Sequence, residues 1–346
     1  MVNTQRHVII EGKEKYTMEF RSKTVFLIIL ISGIILCGGT SLPSAAPEYP
    51  EKPINAIIPF VAGGAPDLLF RPLSEIAQKH LGVPLVIFNK PAGGGMAGTQ
   101  EVARAKPDGY TILMNFGGGE HLVSPHLEKV PFDTLKDFEP VIILSYYPSG
   151  LFVKEDSPWK NLEEIIEYAK KNPWALRYSH PGTATMNHLA ALAFEKIAGI
   201  SLSGIPTGGG GPALNMLLGG HVEAAQIGVP VAWPQVHGGQ IRCLAYSLPK
   251  RSGMYPGAPT YVEKGYDLRF AINQGIAVPK GTPKEVVQKL HDAFALAFKE
   301  KGFQEIMEKV RFSPNYMNSE DTAKYIREMY QYYGDVIKKL GVTLKK

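Results

Sequence analysis

Cysteine is the residue that this sequence uses least, because only Cys37 and Cys243 occur among 346 residues. One cysteine outside the N-terminal segment cannot form an intrachain disulfide, so the fold must be stabilised by packing. An excess of charge is also lacking: the net charge is +5, and lysines and arginines are interspersed with acidic residues. No basic stripe of the kind that binds nucleic acid is present. We therefore expect no nucleic-acid partner.

The motifs of the common catalytic sites are missing as well. No glycine cluster is followed by Lys-Ser or Lys-Thr, which excludes a P-loop, and Ser179 in "RYSHPG" lacks the first glycine of G-x-S-x-G. No H-E-x-x-H occurs, and His121 and His126 are separated by five positions. Cys243 lies in the apolar segment "IRCLAYS", where we expect an inert thiol. We expect no enzyme, no metal and no cofactor.

Long hydrophobic runs are scarce too, and the main one covers residues 25–36. Arg21 and Lys23 precede this run, and small residues follow it as far as Ala46. The run is shorter than the ~20 residues that span a bilayer, and the pattern is typical of an export signal. We predict that residues 1–46 are a signal peptide and that the mature protein is periplasmic or otherwise extracytoplasmic. Other possibilities stay open: a start at Met18, cleavage after Gly39 or Ser41, an uncleaved membrane anchor, and a lipid anchor at Cys37.

After this segment, apolar runs alternate with glycine-rich turns and helix-like stretches. "INAIIPF", "VPLVIFN" and "DGYTILMNF" read as strands, a further strand begins at "PSGLFVKEDS", and "LEEIIEYAKKNP" reads as an amphipathic helix. Strands that alternate with helices form parallel sheets with crossovers. We predict an α/β protein of two lobes, lobe 1 from residues 47–150 plus 271–346 and lobe 2 from residues 151–270. The hinges are expected near "PSGLFV" and "FAINQG".

The turn "AGGGMAG" matches G-x-G-x-x-G through Gly93, Gly95 and Gly98, which makes a nucleotide-dependent α/β enzyme the alternative hypothesis. A dinucleotide site also needs an acidic residue at the end of the next strand. That strand ends in glycines here, and Glu120 comes late. The match alone is therefore weak evidence for a nucleotide site.

Four glycine turns follow predicted strands: "FVAGGAPD", "AGGGMAG", "FGGGEH" and "TGGGGPAL". The carboxyl ends of parallel strands open to one edge of a sheet, where ligands bind. Glycine lets backbone N–H groups approach a ligand, and the following helix N-terminus adds positive charge. The four turns therefore indicate an anion site that needs no lysine or arginine.

Long segments of the chain carry a resemblance to a known family; they are "YPEKPINAIIPFVAGGAPD", "NKPAGGGMAGTQEVARAKPDGYTILM", "VPFDTLKDFEPV", "IPTGGGGPALNMLLGGHV" and "VPKGTPKEVVQKL". From about Tyr49 onward the sequence resembles the extracytoplasmic solute receptors of tripartite tricarboxylate transporters, also called the Bug family. The resemblance implies a type II periplasmic-binding-protein fold, with two lobes, each a mainly parallel sheet flanked by helices, and a cleft between them. It also implies capture of a small carboxylate-bearing solute and delivery to a permease of one large and one small subunit. We expect a monomer; a sensor that serves a signalling partner stays open.

The resemblance also places candidate ligand-binding residues in loops of both lobes. They are Phe60, Ala62, Gly63, Gly64 and Asp67 in the first loop, Gly117 in "FGGGEH", Gly182, Thr183 and Thr185 in "YSHPGTATMNHL", Gly209 and Gly210 in "TGGGGPAL", and Gly228. Asp67 is expected to cap the helix that begins there and to hold the loop.

The sequence departs from the family pattern at several of these loops. Ala184 replaces a glycine, Thr207 and Gly208 replace a tyrosine and a lysine, and Ile227 with Gly228 stands where an aspartate and an asparagine are usual. These losses predict a roomier or less polar distal pocket. Glu120 lies near the expected cleft, where it meets a cationic group of the ligand or faces solvent; we favour the solvent-facing position.

Overall fold

The computed structural model describes residues 49–344, so the predicted signal peptide and Cys37 lie outside the described residues. The chain alternates strands and helices in the first part. The elements are β1 (Ile54–Ile58), α1 (Ala65–Leu81), β2 (Leu85–Asn89), a 3-10 turn (Gly93–Gly95), α2 (Met96–Ala103), β3 (Thr111–Phe116), α3 (Gly119–Leu122), α4 (Ser124–Leu127) and β4 (Phe138–Lys154).

The same alternation continues beyond β4 and ends in helices. The elements are α5 (Leu162–Lys171), β5 (Arg177–His180), α6 (Met186–Ala198), β6 (Ser203–Pro206), α7 (Gly210–Leu218), β7 (Ala224–Gly228), α8 (Val229–His237), β8 (Ile241–Tyr246), β9 (Ala271–Pro279), α9 (Lys284–Lys299), α10 (Lys301–Lys309), β10 (Ser313–Met317) and α11 (Ser319–Leu340).

The strands form two parallel groups that are joined by antiparallel strands. The sheet order is β2-β1-β3-β9-β4-β7-β5-β6, with β8 and β10 also paired to β4. Strands β1, β2 and β3 are parallel, as are β5, β6 and β7, which confirms the predicted strand–helix alternation. The joining strands differ, because β9 runs antiparallel to β3 and β4, and β4 runs antiparallel to β7 and β8.

The long strand β4 takes part in both groups. Its residues from Phe138 to Pro148 pair with β9, whereas those from Ser149 to Val153 pair with β7. We call the strands β1, β2, β3, β9 and β10 with their helices the first half, and β5 to β8 with theirs the second half. The carboxyl ends of the parallel strands in each half carry the loops that form the site.

Helix α1 shows how the sequence produces these elements. Leu69, Phe70, Leu73 and Ala77 recur at helical spacing and are buried against the sheet. A proline stands in its first turn, where the backbone N–H is not needed, and the left-handed Gly82 ends it. The buried side chains of all the described layers form one continuous apolar core. Burial of this kind is the main stabilising contribution to the fold.

Candidate functional site

A cleft of about 460 Å³ lies where the loops after β1 and β3 face the loops after β5, β6 and β7. Its lining residues come from both halves: Phe60, Gly64, Ala65, Pro66, Asn115, Gly119, Glu120, Tyr147, Pro181, Thr185, Met186, Asn187, Gly210, Gly228, Val231 and Ile272. None of these described residues is a lysine, an arginine or a histidine. Glu120 is the one charged side chain among them.

Four helices begin at the wall of this cleft. The residues preceding α1, α6, α7 and α8 are Gly64, Thr185, Gly209 and Gly228, and each of these helices has nine residues or more. The first backbone N–H groups of a helix have no partner within it, and its N-terminus carries about half a positive charge. The helix N-termini therefore offer hydrogen-bond donors and partial positive charge to the cleft without basic side chains, which suits an anion.

The first loop is held from beneath by Asp67. The Gly63 amide donates to its Oδ2 at 3.1 Å, and Arg71 Nη2 and Asn89 Nδ2 donate to its Oδ1 at 2.6 and 3.1 Å. Burial acts to raise the pKa of Asp67, but these hydrogen bonds outweigh it and lower the pKa below its ordinary value. Asp67 thus holds the loop as expected, but it does so from the third position of α1, because the capping residue is Gly64.

In the second half, Thr185 caps α6. Its hydroxyl donates to the Gly182 carbonyl at 2.8 Å and accepts from the His188 amide at 3.4 Å. The side chain is 3% exposed and lines the cleft. The hydroxyl is therefore committed to shaping the loop and the start of the helix.

Asn187 is a cleft residue that the sequence reasoning missed. Ser149 Oγ donates to Asn187 Oδ1 at 2.7 Å, and Gln226 Nε2 donates to that same Ser149 Oγ at 2.7 Å. These two hydrogen bonds fix the orientation of the Asn187 amide. Its Nδ2 makes no hydrogen bond to any residue in the range 49–344. Its Nδ2 is therefore a donor available to a bound solute.

The two halves touch at glycines. A β-carbon at Gly94 would lie 3.0 Å from the Thr183 carbonyl oxygen, and one at Gly182 would lie 3.2 Å from Gly94 Cα. A β-carbon at Gly119 would overlap the Met186 nitrogen. The halves are thus closed on each other, and only glycine permits this approach of the two backbones. The "AGGGMAG" turn packs against the loop of the opposite half.

The cleft brings together five of the predicted site residues: Phe60, Gly64, Thr185, Gly210 and Gly228. Five more of the predicted residues lie around it. Gly182 and Gly209 form contacts between the halves, since a β-carbon at Gly209 would overlap Val61. Ala62 and Gly63 are exposed at the rim, and Asp67 lies beneath the loop.

Thr183 and Gly117 lie away from the cleft. Thr183 is exposed and lines a different pocket, beside His180 and His188. Gly117 has φ +92° and faces Ile326, so it shapes the turn after β3.

Glu120 is not solvent-facing, so that expectation was wrong. The residue is 1% exposed and lines the cleft, and Asn115 Nδ2 donates to its Oε1. The neighbouring Tyr147 also lines the cleft. Burial, and after it the negative charge of Glu120, raises the pKa of the Tyr147 hydroxyl well above its usual range. Tyr147 is therefore neutral at physiological pH.

Other types of site find little support in residues 49–344. These residues contain no group of three His, Cys, Asp or Glu side chains arranged to hold a metal ion. Burial raises the pKa of the Cys243 thiol, which makes it a poor nucleophile. Among the same residues, no helix combines the length and the apolar character that crossing a bilayer requires.

Comparison with known proteins connects this chain to a family. The family model of the tripartite tricarboxylate transporter family receptor matches residues 69–342. A Cupriavidus necator protein described as "UPF0065 protein in gbd 5'region" is 37% identical over 86% of this chain and 90% of its own length.

Solved structures agree with this match. The periplasmic binding protein BugD superposes with a TM-score of 0.81 at 33% identity, over 86% of this chain and 100% of BugD. MatC from Rhodopseudomonas palustris, solved with malate, gives a TM-score of 0.78 at 26% identity, over 84% and 100% of the two chains. An R. palustris protein solved with adipate gives 0.81 at 25% identity, over 86% and 99%. The neighbours confirm the predicted two-lobed periplasmic-binding-protein fold, and the chain belongs to the tripartite tricarboxylate transporter receptor family, whose members are periplasmic solute-binding receptors.

Proposed function

We propose that this protein captures a small carboxylate-bearing solute in the cleft and delivers it to a tripartite tricarboxylate-type permease of one large and one small subunit. The observation that carries the proposal is the convergence of four helix N-termini on a cavity whose lining has no basic side chain. Backbone amides at helix N-termini bind carboxylates in this way. The malate and adipate of the two relatives are carboxylates as well.

The expected affinity is moderate. Each charge-assisted hydrogen bond to a carboxylate contributes about 1.5–3 kcal/mol. Three or four such bonds, less the costs of desolvation, ordering and closure, leave about −8 kcal/mol, which corresponds to a micromolar Kd. A receptor that must release its solute to a permease needs an affinity of this order.

We also propose that the two lobes close by a hinge motion at the two segments that connect them, "PSGLFV" and "FAINQG". The two segments are linked through Ser247, whose hydroxyl accepts from the Ser149 amide at 3.1 Å and donates to the Phe270 carbonyl at 2.7 Å. We place lobe 1 at residues 47–150 plus 271–346 and lobe 2 at residues 151–270, with hinges near these links. Export by the signal at residues 1–46 and a monomeric state belong to the same proposal.

We propose no chemistry for the site. The enzyme alternative depends on the turn that contains Gly93, Gly95 and Gly98. This turn packs against the opposite half through Gly94, and the Gly95 backbone lies beside Phe60 and Glu120 of its own half. The Glu120 carboxyl group beside this turn accepts hydrogen bonds, so it offers a pyrophosphate no donor there. No cofactor is part of the proposal.

Thermal unfolding with a solute panel tests the proposal. Di- and tricarboxylates, aromatic acids and amino acids are screened for a rise in Tm, and NADH binding is followed in parallel by fluorescence. We expect at least one carboxylate to raise the Tm while NADH has no effect. Binding of NADH together with no response to any acid would contradict the receptor function.

A further inference from the structure

We propose that Glu120 and Asn115 form a subsite for an ammonium group, so that the solute is an amino carboxylate and not a plain dicarboxylate. This inference rests on the proposed function, because it names the class of solute that the same cleft selects. It starts from two acceptor atoms of cleft-lining residues, Glu120 Oε2 and Asn115 Oδ1, that receive no hydrogen bond from any residue in the range 49–344.

The first acceptor is the Glu120 carboxylate. Asn115 Nδ2 donates to Oε1, and the His121 Nδ1 atom lies 3.3 Å from that oxygen without hydrogen-bond geometry. No residue in the range 49–344 donates a hydrogen bond to Oε2. A carboxylate that is 99% buried and holds one hydrogen bond is short of donors, because it has room for about four.

The second acceptor is the Asn115 side-chain oxygen. Asn115 is 2% exposed and lines the cleft, and its Oδ1 has no hydrogen-bond partner among the described residues. The carboxylate accepts from Nδ2, and this fixes which end of the amide carries the free oxygen. The backbone of Asn115 has φ +101°, a strained conformation for a non-glycine residue. Such strain is typical of residues held for function.

No lysine or arginine among residues 49–344 pairs with the Glu120 carboxylate, and the basic side chain beside it is the imidazole of His121. The cleft lining holds no lysine or arginine among its described residues, and the His121 ring is enclosed by Phe116, Phe132 and Phe138. A buried carboxylate without a cationic partner is costly. An ammonium group offers a positive charge and three N–H donors, which match the two free acceptors.

The ammonium subsite and the anion site share one cavity. Gly119, the residue before Glu120, packs directly against the Met186 amide at the start of α6. Asn187, which follows in α6, presents its free Nδ2 to the same cavity. A solute whose carboxylate binds at the α6 N-terminus therefore brings an amino group of the same small molecule near Glu120.

The Glu120 carboxylate also disfavours a solute that places a second carboxylate in this subsite. Two like charges about 4 Å apart repel strongly even at the effective dielectric of a protein surface. Relatives solved with malate or adipate hold dicarboxylates, so Glu120 would give this chain a different selectivity.

Isothermal titration calorimetry with matched solute pairs tests the subsite. Each pair differs by one amino group: aspartate with succinate, glutamate with glutarate, and leucine with 4-methylpentanoate. The proteins are the wild type, Glu120→Gln and the control Glu101→Gln, whose exposed side chain pairs with Lys90. We expect the amino member of at least one pair to bind the wild type at least about tenfold more tightly than its partner.

We expect Glu120→Gln to abolish that preference and Glu101→Gln to keep it. An equal or weaker affinity for every amino member in the wild type overturns the ammonium subsite, even if Glu120→Gln does not fold. A preference that survives Glu120→Gln overturns it as well. If malate, adipate or the amino-free acids bind best, the carboxylate receptor function stands and only the subsite fails. If no acid binds at all, both proposals fail.

Discussion

Replacement of Gly119 by alanine tests the closure of the two halves. A β-carbon there would overlap the Met186 nitrogen and lie 2.8 Å from the Thr185 carbonyl carbon, both backbone atoms of the opposite half. Backbone atoms cannot rotate away as a side chain can, so the halves must separate to admit the methyl group. The backbone of Gly119 itself lies outside the left-handed region, so alanine adds no local strain.

The Gly119→Ala substitution destabilises the closed state of the protein and leaves the open state unaffected. Overpacking of this kind costs about 1–3 kcal/mol, and a protein that opens by hinge motion avoids the clash when it holds no solute. We therefore expect Gly119→Ala to weaken solute binding by a factor of about 5 to 150. The Tm of the solute-free protein should stay unchanged.

Calorimetry with the tightest-binding carboxylate of the panel measures the change. Gly302→Ala in α10 is the control, because a β-carbon at the exposed Gly302 has no heavy atom within 4 Å and the residue lies outside the cleft lining. X-ray scattering with and without solute follows the closure. An affinity within twofold of the wild type would refute the reasoning. A lower Tm without solute would also refute it, since the contact would then belong to the resting fold.

Three further substitutions have definite expected outcomes. Asp67→Asn should lower the free energy of unfolding by about 1–2 kcal/mol at pH 7. The pKa of Asp67 is lowered in the folded protein, so the stability difference between wild type and variant is present above the ordinary carboxyl pKa and should vanish as the pH falls through the folded-state pKa. Urea titrations that give the same difference in the free energy of unfolding at every pH would contradict this. Thr185→Val should destabilise the Gly182 loop and the start of α6 by about 1 kcal/mol through the lost cap, and it should weaken solute binding because the α6 amides lose their position; unchanged affinity in calorimetry would contradict this. Burial lowers the pKa of His180 to about 4, so the wild type should lose about 2 kcal/mol of stability between pH 7 and pH 5 through this residue. His180→Asn should remove that part of the pH dependence, and an unchanged slope would count against it.

The sequence predicted the parallel strands well, because each combines a short apolar run with a glycine turn. The run "INAIIPF" became β1 (Ile54–Ile58), and "VPLVIFN" became β2 (Leu85–Asn89). Local pattern was insufficient for β4, of which only the part from "PSGLFV" was predicted. Its first part, "FEPVIILSYY", is buried on both faces and lacks the alternation that marks a strand.

Elements that depend on tertiary contacts were missed. Strand β10 (Ser313–Met317) contains a proline and exists through its antiparallel pairing with β4. Helix α8 (Val229–His237) contains Pro234 in its interior, which argues against a helix when read locally. Packing between distant segments outweighed these local preferences.

The site was predicted in outline and missed in detail for the same reason. The glycine turns identified which loops meet, since loops at strand ends converge in this fold. Glu120 seemed solvent-facing because a glycine-rich loop surrounds it in sequence. The structure buries it against Asn115 and beside the Gly95 backbone. Asn187 carries no motif, and only the link through Ser149 shows its role.

A crystal structure with the bound solute is the most direct test of the central claim, that main-chain amides at helix N-termini hold the carboxylate. We predict carboxylate oxygens within about 2.7–3.2 Å of backbone nitrogens at the starts of α6, α7 or α8. A carboxylate held by lysine or arginine side chains, or a solute bound outside this cleft, would contradict the account.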